Sequence, residues 1–187
     1  HARVSKIILS PCNIDCIVFW TKDPLNMLDK LDIIDKLGYR YYFQFTLTPY
    51  DKSVEKGLRD KDEIIKTFRE LSERIGKNRV IWRYDPIIIN DKYDFSFHKE
   101  LFTRLCGELG RYTKQCIISF VDIYPKLKTE ILREISTDEM IELGEMMSST
   151  AKEFGITVKA CCEEPFLRIC GIEQASCIDK ALIESIC

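Results

Sequence analysis

Apolar runs typical of buried strands alternate along this chain with segments whose apolar residues recur at helical spacing. The runs predict strands over residues 16–21, 41–48, 80–84, 115–121 and 156–162. Between two of these strands, Ile64, Phe68, Leu71 and Ile75 mark one face of a helix. Because the strand–helix order repeats, the pattern predicts an α/β fold with a parallel sheet and helical crossovers.

The strand predicted over residues 41–48 has two different faces. Phe43, Phe45 and Leu47 share one face, whereas the other carries polar groups, at Gln44, Thr46 and Thr48. A sheet with helices on both faces would bury these polar groups in an apolar layer, but a barrel can turn them toward a cavity. The pattern therefore predicts one α/β domain over residues 1–187, a TIM-like barrel with five strands present.

The run at residues 80–86 contains two charged residues inside an apolar strand. Arg83 and Asp85 lie two positions apart, so both point to the same face, and Pro86 is expected to end the strand. Charge at the end of a buried strand costs free energy unless it is paired or used. This position is either a structural ion pair or part of a site.

Other predicted strands also end in polar groups, and parallel α/β folds bind ligands at the carboxyl ends of their strands. We take the following residues as catalytic candidates: Arg83, Asp85, Asp122, Glu163 and Cys161. The substrate-binding candidates are Lys22, Gln44, Thr46, Thr48 and Trp82. Each has a structural alternative, such as a loop cap for Asp122 or core packing for Cys161. His98 lies beside an apolar helix stripe and is expected to be structural.

Composition and charge narrow the choice of function. The net charge is −2, which gives no electrostatic footprint for nucleic acid, and no apolar run approaches the roughly 20 residues that cross a bilayer. The chain has nine cysteines, an odd number, with no Cys-x-x-Cys pair. In a chain of this size, that favours reduced thiols and a cytoplasmic location over a disulfide framework.

Five segments resemble the bacterial and archaeal family called domain of unknown function 1848: residues 15–24 (DCIVFWTKDP), 42–48 (YFQFTLT), 79–86 (RVIWRYDP), 118–124 (ISFVDIY) and 177–179 (CID). The resemblance runs essentially from end to end. Members usually begin with an extra strand–helix unit and continue into a Cys-x-x-x-Cys-x-x-Cys-Tyr cluster. That cluster is similar to the iron–sulfur ligand set of radical S-adenosylmethionine (SAM) enzymes, especially the spore photoproduct lyase group.

The extra unit would bring the five strands predicted here to six, the number in the partial TIM-like barrel of radical SAM enzymes. The resemblance therefore implies the barrel body of a radical-SAM-like enzyme, with five strands present of six, and a 4Fe–4S cluster and SAM in longer family members. None of the nine cysteines here matches the cluster motif, so this chain itself is not expected to ligate a cluster. In this hypothesis Arg83 and Lys22 hold carboxylate or phosphate groups of a small-molecule substrate. The carboxylates of Asp85, Asp122 and Glu163 accept hydrogen bonds from the substrate. The cavity is lined by Gln44, Thr46 and Thr48, and Cys161 donates a hydrogen atom to a radical.

Two other functions fit the same residues. One is a metal-dependent hydrolase or lyase that uses Asp85, Asp122 and Glu163 as hard oxygen ligands. The other is a non-catalytic barrel that binds a small anionic ligand or a partner protein. An incomplete barrel also has two open sheet edges, which predicts self-association.

Overall fold

A computed structural model describes residues 8–123, 132–161 and 165–186 of the chain. Its strands are β1 (Ile17–Thr21), β2 (Tyr41–Thr46), β3 (Val80–Ile87), β4 (Gln115–Phe120), β5 (Thr157–Cys161) and β6 (Glu173–Ala175). Its α-helices are α1 (Leu25–Leu28), α2 (Leu31–Lys36), α3 (Lys61–Ile75), α4 (Phe95–Leu109), α5 (Thr137–Glu153) and α6 (Lys180–Ile186). A 3₁₀-helix at Pro165–Cys170 precedes β6.

The six strands form one parallel sheet in which each strand pairs with the next one along the chain. The prediction of parallel βα repeats is confirmed, but the predicted strand count of five is wrong. The additional strand is β6, which lies within residues 167–176. The sequence predicts a loop there, since the three residues of β6 contain no apolar run. Over the described residues β1 and β6 each have one neighbour, so the sheet is open.

The main helices all cover one face of this sheet, which we call the helix face. Alternate residues of the strands, including Phe43, Phe45 and Trp82, form one apolar cluster with residues of α3, α4 and α5. Phe68 of α3 packs against Phe45 with ring centroids 4.9 Å apart. Burial of this cluster is the main favourable contribution to folding. Because α3, α4 and α5 lie on one side, the opposite face can carry polar groups.

Local signals account for most helix ends. Ser136 and Glu139 have the spacing of a capping box and form one at the start of α5. Asp60 and Glu63 have the same spacing, but the Asp60 carboxylate accepts its hydrogen bond from the Asp62 amide.

The sequence between Pro24 and Gly38 predicts one helix, but the structure divides it into α1 and α2. The second of these stops before Gly38, whose φ of 78° suits a residue without a side chain.

Strand β3 runs further than the sequence predicts. It continues through Pro86 to Ile87, with a shift in its pairing to β4 between Tyr84 and Ile87. This irregularity accommodates Pro86, which cannot donate a ladder hydrogen bond.

Across the described part of the chain, no helix has the length and apolar character needed to cross a bilayer.

Candidate functional site

The face of the sheet opposite α3, α4 and α5 carries a cluster of polar side chains. We call it the Arg83 face and define it by Tyr42, Gln44, Ile81, Arg83 and Cys161. The strand register places Gln44 beside Ile81 and Thr46 beside Arg83. The predicted alternation in β2, with Gln44 and Thr46 opposite Phe43 and Phe45, is therefore confirmed.

Arg83 and Asp85 form a nearly buried ion pair at the carboxyl end of β3. The Arg83 Nε atom lies 3.2 Å and 3.0 Å from the two carboxylate oxygens, and Nη2 also donates to Asp85. Their side chains are 11% and 12% exposed. Burial alone would lower the pKa of Arg83, but the hydrogen bond and charge of Asp85, together with a smaller contribution from Cys161, outweigh it and raise the pKa. The guanidinium is thus held charged with its plane fixed by the carboxylate.

Two further groups approach the same guanidinium from other strands of the sheet. The Arg83 Nη1 atom lies 3.4 Å from Gln44 Oε1, longer than an ordinary charged hydrogen bond. Cys161, the last residue of β5, also interacts with Arg83 and adds to the rise in the arginine pKa. Three strands of the sheet, β2, β3 and β5, therefore bring Gln44, Arg83 and Cys161 together on one face.

The segment that follows β6 covers the other part of the Arg83 face. Leu182, Ile183 and Ile186 of α6 pack on a small cluster that includes Tyr42 and Ile81. The backbone N–H of Asp179 donates to Tyr42 Oη at 3.2 Å, and Gln44 Nε2 donates to the carbonyl of Cys177 at 3.3 Å. Apolar residues near the amino ends of the strands are thereby buried, whereas Arg83 and Asp85 lie beyond them toward the carboxyl ends.

Lys22 and Thr48 belong to a second cluster, centred on Glu55. Lys22 Nζ lies 2.6 Å from one oxygen of this carboxylate, and Thr48 Oγ1 donates to the other at 3.0 Å. Lys61 also pairs with it, and the Glu55 side chain is 4% exposed. Burial would raise the pKa of Glu55, but the hydrogen bonds and positive charges of Lys22 and Lys61 together outweigh it and lower the pKa. This cluster fastens the loop after β2 to the ends of β1 and β2.

Trp82, a predicted substrate-binding residue, lies on the helix face and not beside Arg83. Its ring stacks on Phe102 of α4, its N–H donates to the carbonyl of Leu47 at 2.8 Å, and it is fully buried. The reason is strand alternation, which puts Trp82 and Arg83 on opposite sides. The same alternation places Trp20 of β1 on the Arg83 face beside Gln44, where it is 53% exposed. Sequence reasoning missed Trp20, although its even spacing from Val18 contains the signal.

Of the two remaining acidic candidates, the structure describes only Asp122. Asp122 follows β4 and is exposed, and Glu163 lies outside the described residues. Within the ranges that the structure describes, no three His, Cys, Asp or Glu side chains are placed to hold a metal ion. His98 is buried in the core, where Nδ1 faces Tyr84 Oη at 2.8 Å and Nε2 faces the carbonyl of Ile88 at 2.9 Å. It has the structural role that the sequence predicts.

The fold and the face together define a class: a parallel α/β domain with sequential strand order, helices α3 to α5 on one face and a polar cluster on the other. The family model described as "Domain of unknown function (DUF1848)" matches residues 1–187, and the chain belongs to that family. No curated protein and no solved structure matches the chain.

Proposed function

We propose that the Arg83 face binds a small molecule through a carboxylate or phosphate group, and that the chain is the substrate-binding body of an enzyme. The observation that supports this most is the nearly buried Arg83–Asp85 pair on the face that α3, α4 and α5 leave uncovered. A purely structural sheet face at this place would be expected to bury apolar groups, since ion pairs contribute little net stability there.

The arrangement of donors around Arg83 suits an anion. Asp85 occupies Nε and Nη2, which fixes the plane of the guanidinium. Nη1 has a long contact to Gln44, and an incoming anionic oxygen would replace it with a shorter, charge-assisted bond. Asp85 therefore acts as the positioning residue, and Arg83 as the residue that contacts the ligand.

Neighbouring side chains would recognise the rest of the molecule. Trp20 offers an exposed ring at the edge strand, next to Gln44 in the register. An aromatic face of this kind stacks on flat apolar or heteroaromatic groups. Gln44 and Thr46 supply hydrogen-bonding groups between that ring and Arg83. A ligand with a flat group and an anionic group fits this order of side chains.

Intrinsic fluorescence gives a direct test, since the chain has two tryptophans and Trp82 is buried. The chain is titrated with a panel of small phosphates and carboxylates that includes SAM, an amino acid derivative. We expect at least one ligand to change the emission, and the change to disappear in Trp20→Phe. Arg83→Lys, which keeps the charge but loses the fork of donors, should weaken binding about tenfold or more.

The matched control is Arg104→Lys, because Arg104 pairs with Asp62 on the exposed helix side of the molecule. Its affinity for each ligand should equal that of the unmodified chain. A panel without any response, or Arg83→Lys binding as tightly as the control, contradicts the proposed site.

For the reaction class, we propose the radical-SAM-like chemistry that the family resemblance implies, on a sheet that forms part of a barrel in a cytoplasmic protein. The iron–sulfur ligand set in the resemblance has three cysteines, whereas the described residues provide no such group. The described residues thus do not fit a cluster, and its ligands would lie elsewhere in the protein. The role of this chain is to bind and orient substrate.

The radical-SAM class and the binding face can be tested separately. The measurement is iron and acid-labile sulfide per chain after anaerobic reconstitution. We expect no cluster on this chain and one on a longer family member that carries the cysteine segment. Absence of iron from both would remove the radical-SAM class and leave a binding face. Ligand binding without turnover in the longer protein would favour the non-catalytic alternative.

A further inference from the structure

Two cysteine thiols are in contact beside the Arg83–Asp85 pair. Cys161 ends β5 and is buried, and Cys177 lies in the segment between β6 and α6 and is exposed. Their sulfur atoms are 3.4 Å apart. A disulfide has an S–S length of about 2.05 Å, so a shift of one short segment would close the bond. The Cys177 side of the pair belongs to such a segment.

The chemistry around the pair favours thiol exchange over metal binding. Arg83 interacts with Cys161, so this thiol lies beside a fixed cationic group. Asp85 partly offsets that charge, and no third metal-ligating side chain joins the two cysteines in the described ranges. A cationic side chain next to a two-thiol site also repels a metal cation.

We propose that Cys161 and Cys177 are a reversible disulfide pair that exchanges with a low-molecular-weight disulfide, RSSR. The exposed Cys177 thiolate attacks one sulfur of RSSR, which forms a mixed disulfide and releases one RS⁻. The Cys161 thiolate then attacks the Cys177 sulfur of the mixed disulfide and releases the second RS⁻. The two protein thiols lose two electrons and two protons, and RSSR becomes two RSH.

Closing this bond would attach the segment before α6 to the end of β5. Gln44 already donates to the carbonyl of Cys177, so the segment is in contact with the proposed ligand face. The disulfide would hold α6 on Tyr42 and Ile81 and would remove the thiol that lies next to Arg83. The oxidation state of the cysteine pair would therefore change the structure of the Arg83 face, whatever ligand that face binds.

The test incubates the chain in buffers of oxidised and reduced glutathione, quenches exchange with acid, alkylates the remaining thiols and digests with trypsin. Cleavage after Lys159, Arg168 and Lys180 places Cys161 and Cys177 on separate peptides. We expect these peptides to be linked in oxidising buffer and to separate on reduction.

Single variants assign the link. Cys161→Ser and Cys177→Ser should abolish it, whereas Cys162→Ser and Cys170→Ser, which alter the other cysteine on each peptide, should retain it. Cys12→Ser is the control for an exposed cysteine elsewhere. A link that survives Cys161→Ser, or unmodified chain that yields no linked peptide at any glutathione ratio, overturns the proposal. The unmodified chain gives a result even if a serine variant fails to fold.

Discussion

The two faces of the sheet are built from alternate residues of the same strands, yet one buries apolar side chains and the other buries charged ones. The helix face packs Phe45, Trp82 and Tyr84 against α3 and α4. The other face carries Arg83 and Asp85, which alternate with Trp82 and Tyr84 along β3. Apolar burial needs no specific partner, whereas buried charge is tolerated only with one. The comparison indicates that the helix face specifies the fold. The Arg83 face can be changed with a smaller loss of folding free energy, provided that both members of a charged pair are replaced together.

The largest expected difference between the faces comes from the two tryptophans. Trp82→Ala leaves a cavity against Phe102 and should lower the free energy of unfolding by about 3–5 kcal/mol. Trp20→Ala removes a half-exposed ring and should cost less than about 1 kcal/mol. Urea denaturation followed by circular dichroism measures both values. Equal losses would mean that the Arg83 face is also part of the main core.

Next in size is the effect of separating the Arg83–Asp85 pair. Arg83→Met leaves the Asp85 carboxylate without its cationic partner and should cost about 2–3 kcal/mol, below the value for a fully buried pair since both side chains retain some exposure. The double variant Arg83→Met with Asp85→Leu should recover most of that loss. Denaturation of the single and double variants gives the coupling; additive losses would show that the pair does not interact.

A smaller effect is expected for a polar contact that is buried among the rings of the helix face. Tyr84→Phe removes the hydroxyl that faces His98 Nδ1 and should cost about 1–2 kcal/mol. Tyr39→Phe is the matched control, since its hydroxyl donates to the carbonyl of Leu9 at an exposed site and its loss should be below about 0.5 kcal/mol. Thermal unfolding of both variants measures the difference.

The smallest effect is the pH dependence of the Glu55 cluster, where the ends of β1 and β2 meet the loop. The folded pKa of Glu55 is lowered from the ordinary value of 4.5, so its stabilisation is complete above that value and is lost as the pH falls through the folded pKa. Glu55→Gln should remove about 1 kcal/mol at neutral pH and flatten the stability profile below about pH 4.5.

His98 contributes a second loss of stability to that profile, at a higher pH than the loss caused by Glu55. Burial lowers its pKa from 6.5, so the unfolded chain binds a proton more readily and stability falls as the pH drops below about 6.5. This loss should persist in Glu55→Gln. Urea midpoints between pH 3 and pH 8 separate the two groups, and a profile unchanged by Glu55→Gln would contradict the role of its lowered pKa.

The sequence contains enough to place most of the fold and part of the site. Residues 41–48 predict the side of Gln44 and Thr46 correctly, because alternation follows from backbone geometry alone. The same rule separates Trp82 from Arg83, and applying it to β1 would have pointed to Trp20. The strand β6 has three residues, two of them polar, and its pairing to β5 depends on tertiary contacts.

The groupings of distant residues were beyond sequence reasoning. Lys22 and Thr48 follow strand ends as predicted, but their partner Glu55 sits in a polar loop with no periodic signal. The contact of Cys161 with Cys177 depends on how the chain turns after β5. Such contacts are set by the packing of several elements and leave no local pattern.

The sequential strand order also bears on how the molecule assembles. Each strand finds its partner one unit earlier in the chain, so the sheet can grow strand by strand as synthesis proceeds. The contacts of Gln44 with Cys177 and of Tyr42 with Asp179 instead span 133 and 137 residues. They can form only after nearly all of the described chain has emerged. The order of the chain therefore allows pairing to begin during translation on the sheet as a whole, whereas these two contacts of the Arg83 face need its last segment.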